Sequence, residues 1–239
     1  MTAEAFIWKL KTYRSDAELK KYQRFFKFSV DNPLKDDEFI GVRMGQVFGL
    51  AKEYIDMPLQ EIEKLMESPI HEVRAGAMSI MAKRAAHKNT TPLQLKELYE
   101  LYIRRHDRIN SWDLVDLAAY HVVGRYLSDK PRRILYKLAR SKDPWERRTA
   151  IVATAHFILK LNEVDDTFSL AALLLQDDHE LVHKGAGWML RAAGDKDQKK
   201  LLAFLGKHAA SMPRTMLRYS IEKLDKKKRD HYLNIKKSV

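Results

Sequence analysis

A repeated helical motif is the sequence feature that most constrains the fold of this chain. Arg74 and Arg148 lie 74 residues apart, and Arg148 and Lys184 lie 36 residues apart, in segments that resemble one another. The period is therefore about 37 residues, and half of the first interval ends at Ser111, where a further copy is expected. The three segments are Glu72-Val-Arg74-Ala-Gly-Ala-Met, Glu146-Arg-Arg148-Thr-Ala-Ile-Val and Leu181-Val-His-Lys184-Gly-Ala-Gly. Each of them follows a short polar turn.

The pattern between these motifs is helical. Apolar residues recur at helical spacing almost throughout, strand signals are nearly absent, and Gly and Pro are sparse. A period in this range with two helices per unit is typical of HEAT-like repeats, which stack to bury their apolar faces and curve into a concave surface. The sequence therefore predicts an all-α, HEAT-like repeat α-solenoid of stacked antiparallel helix pairs with a concave basic surface.

We expect one α-solenoid domain over residues 1–239. Its parts are N-terminal capping helices over about 1–60, repeats over about 61–222 and a basic segment over 223–239. The basic run from Lys223 to Lys237 is either a DNA-facing helix or a solvated tail. Two helix starts are also predicted: Asn110 caps a turn together with Asp113, and Thr91-Pro92 opens another helix.

The charge composition of the chain indicates which kinds of partner it can bind. The 44 Lys and Arg against 32 Asp and Glu give a net charge of +12, which favours nucleic acid first and an acidic membrane surface second. A merely basic protein is the alternative. The absence of Cys excludes disulfides, Cys-based zinc sites and thiol catalysis. The charged N-terminus does not resemble a signal peptide, and the longest apolar run, Leu170 to Leu175, is too short for a membrane span. We expect a cytoplasmic protein without a membrane partner.

The segment Asn110-Ser-Trp-Asp-Leu-Val-Asp116 opens a predicted helix from Trp112 to Arg125. Trp112 and Asp116 are four residues apart, so ring and carboxylate lie on one helix face. They lie at one margin of an apolar stripe formed by Val115, Ala118, Ala119 and Val122. An acid beside a Trp on a basic surface suggests stabilisation of positive charge next to a bound polyanion. The alternatives are a core-edge aromatic and a structural salt bridge from Asp116 to a cation such as Arg148.

Two further helices carry candidate residues. The helix from Arg147 to Leu159 is apolar nearly all round, which favours a structural role for Arg148 between repeats. In the other helix, Trp188 lies between Lys184 and Arg191, opposite the apolar face made by Ala186, Met189, Leu190 and Ala193. A ring between two cations suits contact with a nucleic-acid backbone, although packing against a neighbouring helix is the alternative.

One motif argues for chemistry that its context does not support. His179-Glu-Leu-Val-His183 matches the zinc-protease pattern, but it occupies the first turns of a repeat helix and has only His208 or Glu222 as weak third ligands. The chain has no Gly-rich phosphate loop and no nucleophile elbow. We therefore expect neither a metal nor a cofactor.

Several segments together resemble the AlkD-like alkylpurine DNA glycosylases, a DNA alkylation repair family built from HEAT-like repeats. The resemblance covers most of the chain and is carried by the signature helix Asn110 to Asp116, together with Lys21-Tyr22-Gln-Arg-Phe, Phe39-Ile-Gly41-Val-Arg43, Trp145-Glu-Arg-Arg148 and Lys184-Gly-Ala-Gly-Trp188-Met-Leu-Arg191.

The resemblance implies an enzyme that removes cationic N3- or N7-alkylated purines from duplex DNA. A capped solenoid of this length has no need of a partner, so we expect a monomer. The resemblance also implies that the lesion is cradled by its backbone rather than flipped into a closed pocket. A non-catalytic DNA-binding relative and a HEAT scaffold for a protein partner are the alternatives. The implied roles are a catalytic carboxylate at Asp116, lesion-embracing aromatics at Trp112 and Trp188, a cleft arginine at Arg148, and DNA contacts at Tyr22, Arg43, Lys184 and Arg191.

Overall fold

The computed structural model describes residues 1–26 and 37–235, without the side chains of residues 23–26. Residues 27–36 of the predicted N-terminal cap and 236–239 of the basic C-terminal segment lie outside the described residues. The chain divides into two compact units, Met1–Tyr126 and Leu127–Val239, and each is described by itself. The expectation of one domain stays a prediction.

The first unit contains seven of the described α-helices. They are α1 Ala3–Lys11, α2 Asp16–Phe26, α3 Met44–Glu53, α4 Leu59–Met66, α5 His71–Ala86, α6 Pro92–Arg104 and α7 Trp112–Ala118.

Helix α5 lies at the centre of this unit. It packs against α3, α4, α6 and α7, and every residue from His71 to Ala82 is buried. A helix that is buried on all sides needs small residues where neighbours approach closely. Gly76 fulfils this need, because a Cβ added there would lie 2.5 Å from the ring of Phe6.

One of the two predicted helix starts is confirmed and the other is wrong. Thr91 caps α6 in a reciprocal capping box with Gln94, and Pro92 is the first helical residue. At α7 the capping position belongs to Ser111 instead of Asn110. The Asn110 side chain is engaged elsewhere, because it bonds to Arg74 and to Asp37, which are distant in sequence.

The second unit contains the other seven described α-helices. They are α8 Arg133–Leu138, α9 Pro144–Val152, α10 Asp165–Leu173, α11 Glu180–Lys196, α12 Gln198–His208, α13 Arg214–Ser220 and α14 Lys226–Asn234. Helix α11 is its centre and packs against α9, α10, α12 and α13. The predicted apolar face of α11 is confirmed, because Ala186, Met189, Leu190 and Ala193 are all buried. In the basic C-terminal segment, α14 buries Tyr232.

The two helices predicted over Trp112 to Arg125 and Arg147 to Leu159 are helical over most of their lengths, but each contains a π-helical segment that the sequence analysis did not predict. Helix α7 ends at Ala118, and a π-helical turn follows over Tyr120–Gly124, in which the Ala119 carbonyl accepts from the N–H of Gly124 at 2.9 Å. Helix α9 ends at Val152, and a second π-helical segment spans Phe157–Leu161. Near the end of α9 the Thr154 hydroxyl donates to the Ile151 carbonyl at 2.7 Å, which competes with helical bonding.

The predicted fold class is confirmed. The described residues are helical and contain no β-strand beyond an isolated parallel bridge between Glu38 and Ile70. The three repeat motifs lie in the first turns of α5, α9 and α11, as expected for HEAT-like repeats. None of the described helices has the length and hydropathy needed to cross a membrane.

The close contact between α11 and α13 gives a test of the packing in the second unit. A Cβ at Gly187 would lie 2.6 Å from the Met216 carbonyl oxygen and from the Tyr219 Cβ. We expect Gly187→Ala to lower the free energy of unfolding by about 1–3 kcal/mol, because backbone would have to move. Gly206 in α12 has nothing within 4 Å, so Gly206→Ala should be neutral or stabilising by up to about 1 kcal/mol. Urea denaturation measures the free energy of unfolding of both variants. Equal values for Gly187→Ala and Gly206→Ala would contradict the close packing of α11 against α13.

Candidate functional site

The first unit contains a cavity of about 320 Å³ between α2, α5 and α7. Three aromatic rings, one thioether and several carboxylates meet around it. The lining residues are Glu18, Lys21, Tyr22, Phe39, Met44, His71, Glu72, Trp112 and Asp113. Such a mixture of apolar surface and a few convergent polar groups is typical of ligand sites.

Helix α7 brings the predicted aromatic and carboxylate to this part of the unit. Trp112 is the first residue of α7 and lines the cavity, and Asp116 follows one helical turn later. Both residues are half-buried. The predicted apolar stripe next to this pair is confirmed, because Val115, Ala118, Ala119 and Val122 are buried. The core thus fixes the helix while Trp112 and Asp116 keep part of their surface accessible.

The extended segment before α3 forms another wall of the cavity and is fixed by Glu72. The Glu72 carboxylate is fully buried and accepts the backbone N–H groups of Ile40 at 3.1 Å, Gly41 at 2.8 Å and Val42 at 3.3 Å. Gly41 has a φ of 73°, and a Cβ there would lie 2.2 Å from the Ser15 carbonyl oxygen. This turn therefore requires glycine.

His71, at the start of α5, connects this segment to α7. Its imidazole is 1% exposed as a side chain and lies between two carboxylates, with Nε2 2.7 Å from Asp113 Oδ2 and Nδ1 3.2 Å from Asp37 Oδ2. The ring also stacks on Phe39 with centroids 4.7 Å apart. Burial by itself lowers the pKa of His71, but the carboxylates, above all Asp113, outweigh it and raise the pKa to about 9.

The partners of His71 are held in their charged forms. Burial favours the neutral acid at Asp113, yet the His71 imidazolium and the Ser111 hydroxyl keep its pKa below the ordinary value. Asp37 is half-buried, which favours its neutral form, but His71 and Arg74 outweigh burial and lower its pKa. Asp113 is therefore not a simple capping acid, because it is the half-buried anion of an ion pair that joins α5 to α7.

The predicted DNA-contacting residues of this unit lie at or near the cavity. The Tyr22 hydroxyl donates to the Val42 carbonyl at 2.6 Å, and burial with nearby carboxylates raises the pKa of Tyr22 to about 12. Arg43 is exposed and donates from Nε to Glu18 at 2.9 Å. Glu18 also pairs with the exposed Lys21 at 2.7 Å. Two cations are therefore held near the cavity by one carboxylate.

The second unit contains the remaining predicted residues. Arg148 on α9 is only 4% exposed, and its Nη1 donates to the Leu181 carbonyl of α11. Gly185 leaves the space for this guanidinium, because a Cβ there would lie 3.1 Å from Nη1. Arg148 thus has a structural bond between consecutive repeats. That bond accords with the structural interpretation and does not test a catalytic role.

Helix α11 carries the predicted Trp between two cations. Trp188 is half-buried, as are Lys184 and Arg191. Lys184 pairs with Glu180 at 3.1 Å, and Arg191 pairs with Glu222 of the segment after α13. A bound polyanion would compete with these carboxylates for the two cations.

The two histidines of the zinc-protease pattern have local hydrogen-bond partners. His179 Nδ1 accepts from the Leu181 N–H at 3.3 Å, and His183 Nε2 lies 2.6 Å from the Asp177 carbonyl oxygen. Within the described ranges, no cluster of three or more His, Cys, Asp or Glu side chains is arranged to hold a metal ion.

The structure thus brings Tyr22 and Trp112 to one cavity with Arg43 and Asp116 close by in the same unit, and it places Lys184, Trp188 and Arg191 along one helix. The residues that sequence reasoning missed are His71, Phe39 and Asp37, together with the ion-pair role of Asp113. Phe39 lies in a segment that carries the family resemblance, but it had no assigned role. Glu72 and Arg74 in the repeat motif marked the start of α5 without revealing its partners.

These features define an α-helical repeat protein with an aromatic, carboxylate-bearing site in one unit and a Trp flanked by cations in the other. Residues 7–224 match the DNA alkylation repair enzyme family, and the chain belongs to this family. No protein with a curated description matches the chain.

A solved structure supports the same fold. A protein described as a predicted DNA alkylation repair enzyme from Enterococcus faecalis matches with a TM-score of 0.67 and 15% identity, over 89% of this chain and 97% of that chain. At this identity the likeness establishes the helical-repeat fold alone.

Proposed function

We propose that this protein is a DNA glycosylase that excises cationic N3- and N7-alkylated purines from duplex DNA. The observation that carries the proposal is the half-buried Trp112–Asp116 pair on α7, beside an aromatic cavity in a member of the DNA alkylation repair enzyme family. The net charge of +12 supports a polyanionic substrate.

The chemistry suits a carboxylate without a strong acid. Alkylation at N3 or N7 makes the purine cationic, so the base leaves with the electron pair of the C1′–N bond and becomes neutral. The sugar develops oxocarbenium character, and a fixed carboxylate stabilises that charge. Water then adds to C1′ and loses a proton, which leaves an abasic site. Asp116 is the residue that we assign to this role.

The other predicted residues receive supporting roles. Trp112 and Trp188 are each assigned contacts with the DNA backbone, and Arg148 holds α9 against α11 and contributes positive charge. Phosphate contacts are assigned to Arg43, Lys184 and Arg191, and Tyr22 is assigned a DNA contact in the cavity region. Each phosphate that is neutralised contributes about −0.9 to the slope of log affinity against log salt concentration.

The test is release of free base from a duplex carrying N7-methylguanine or N3-methyladenine, compared with spontaneous loss without protein. We expect enzyme-dependent release from the alkylated duplex and none from an unmodified duplex of the same sequence. Tight, salt-sensitive duplex binding without release of either base would overturn the glycosylase proposal and favour a non-catalytic DNA-binding relative. Duplex binding no tighter than heparin binding would favour a scaffold for a protein partner.

A further inference from the structure

Helix α7 begins in an unusual way for a helix that carries two proposed site residues. It has only seven residues, and its N-cap, Ser111, makes no capping bond from its side chain to the helix backbone. The Ser111 hydroxyl donates to Asp113 instead. Side-chain caps normally satisfy the first N–H groups of a helix. The position of this first turn therefore depends on what holds Asp113.

Asp113 is held by His71, which also holds the segment before α3. The charged groups around the imidazole are Asp113 from α7, Asp37 from that segment and Arg74 from its own helix, which pairs with Asp37. Two carboxylates and two cations balance only while the imidazole is protonated. A neutral imidazole would leave one half-buried carboxylate without its cation, which is costly.

We propose that His71 is a positioning residue, whose imidazolium fixes the first turn of α7 through Asp113 and thereby sets the ring of Trp112 against the cavity. His71, Trp112 and Asp113 all line that cavity, and Asp116 follows on the same short helix. This inference deepens the proposed glycosylase function, on which its rate predictions rest. It assigns a role to a residue that touches neither the reacting atoms nor, as proposed, the DNA.

A shift of the first turn would move the ring and the carboxylate together. Misplacement of catalytic groups by about 1 Å can cost about 10²-fold in rate. The pKa of about 9 for His71 keeps the imidazole charged at neutral pH. The contribution of the ion pair should therefore be complete below the ordinary His pKa of 6.5 and be lost as pH rises through about 9.

The experiment compares Asp113→Asn and His71→Gln, which remove one charge each and keep hydrogen-bonding groups, with wild-type protein. His106→Gln is the control, because His106 is also buried in this unit and is 4% exposed. Base release is measured under single-turnover conditions, with the protein in excess over the DNA and above the dissociation constant of the complex. We expect release by both ion-pair variants to be about 10²-fold slower than release by wild-type protein at neutral pH. The wild-type rate should fall as pH rises through about 9. His106→Gln should change thermal stability and leave the pH profile unmoved.

A second readout on the free protein keeps this inference separate from the proposed function. The imidazole resonance that disappears in His71→Gln should titrate near pH 9 in wild-type protein and at least one pH unit lower in Asp113→Asn. The indole resonance that disappears in Trp112→Phe should shift in Asp113→Asn and stay in place in His106→Gln. If wild-type protein releases no base, the proposed function fails, and these resonances alone decide the positioning role. An unshifted Trp112 resonance, or a His71 titration near 6.5, would overturn it.

Discussion

Replacing Asp116 with Asn is expected to slow release of alkylated base by about 10²–10³-fold, by analogy with the loss of one transition-state charge partner. Asn keeps the shape of the side chain and its place on α7, one turn after Trp112, and removes only the negative charge. The oxocarbenium-like sugar then loses its electrostatic partner, while the cationic purine remains a good leaving group. Single-turnover release at saturating protein separates this effect from binding, and duplex affinity should change little.

The control for this substitution is Asp56→Asn, which removes an exposed carboxylate from the same unit. Its release rate should equal that of wild-type protein. Thermal unfolding of the Asp116→Asn variant verifies that it is folded at the assay temperature. A folded Asp116→Asn variant that releases base as fast as wild-type protein would rule out Asp116 as the catalytic carboxylate.

The largest expected loss of stability comes from Glu72→Ala. The substitution removes the acceptor of three backbone N–H groups, those of Ile40, Gly41 and Val42. A buried donor without an acceptor costs about 1–3 kcal/mol, so the free energy of unfolding should fall by at least about 3 kcal/mol. Glu72→Gln retains one acceptor oxygen, so its free energy of unfolding should lie between those of wild-type protein and Glu72→Ala. Urea denaturation, followed by helical circular dichroism, measures these differences.

A matched control is Glu100→Ala on α6, where the carboxylate is mostly exposed and its ion pair with Lys96 spans 3.6 Å. Exposed pairs of this kind contribute little to stability, so this variant should have the same free energy of unfolding as wild-type protein. If Glu72→Ala were as stable as Glu100→Ala, Glu72 would not be the anchor of the segment before α3.

The local part of the fold could be predicted from the sequence because its signals are local. The helix start at Thr91-Pro92 depends on adjacent residues, and the buried face of α11 follows from helical spacing. The pairing of Trp112 with Asp116 on one short helix follows from the same geometry. These features need no knowledge of the neighbouring helices, so the pattern was sufficient.

The rest depends on partners that no local pattern announces. Asp113 has the sequence position of a capping acid, and only the packing of α5 against α7 brings His71, 42 residues earlier, within 2.7 Å. The π turn in the predicted helix after Ala118 was also missing from the prediction. A π turn inserts one extra residue into the helix while the apolar residues before and after it stay buried. The hydropathy pattern of the sequence therefore does not reveal the extra residue.

The cluster at the start of α5 also bears on the order in which the first unit folds. Its bonds join residues far apart in sequence, with separations of 31 for Glu72 to Gly41, 37 for Arg74 to Asp37 and 42 for His71 to Asp113. Helices form from neighbouring residues, whereas such contacts form only after long loops have closed. We therefore expect the cavity to be completed last in folding and lost first in partial opening. A chain that retains its helical content would then already lack its site.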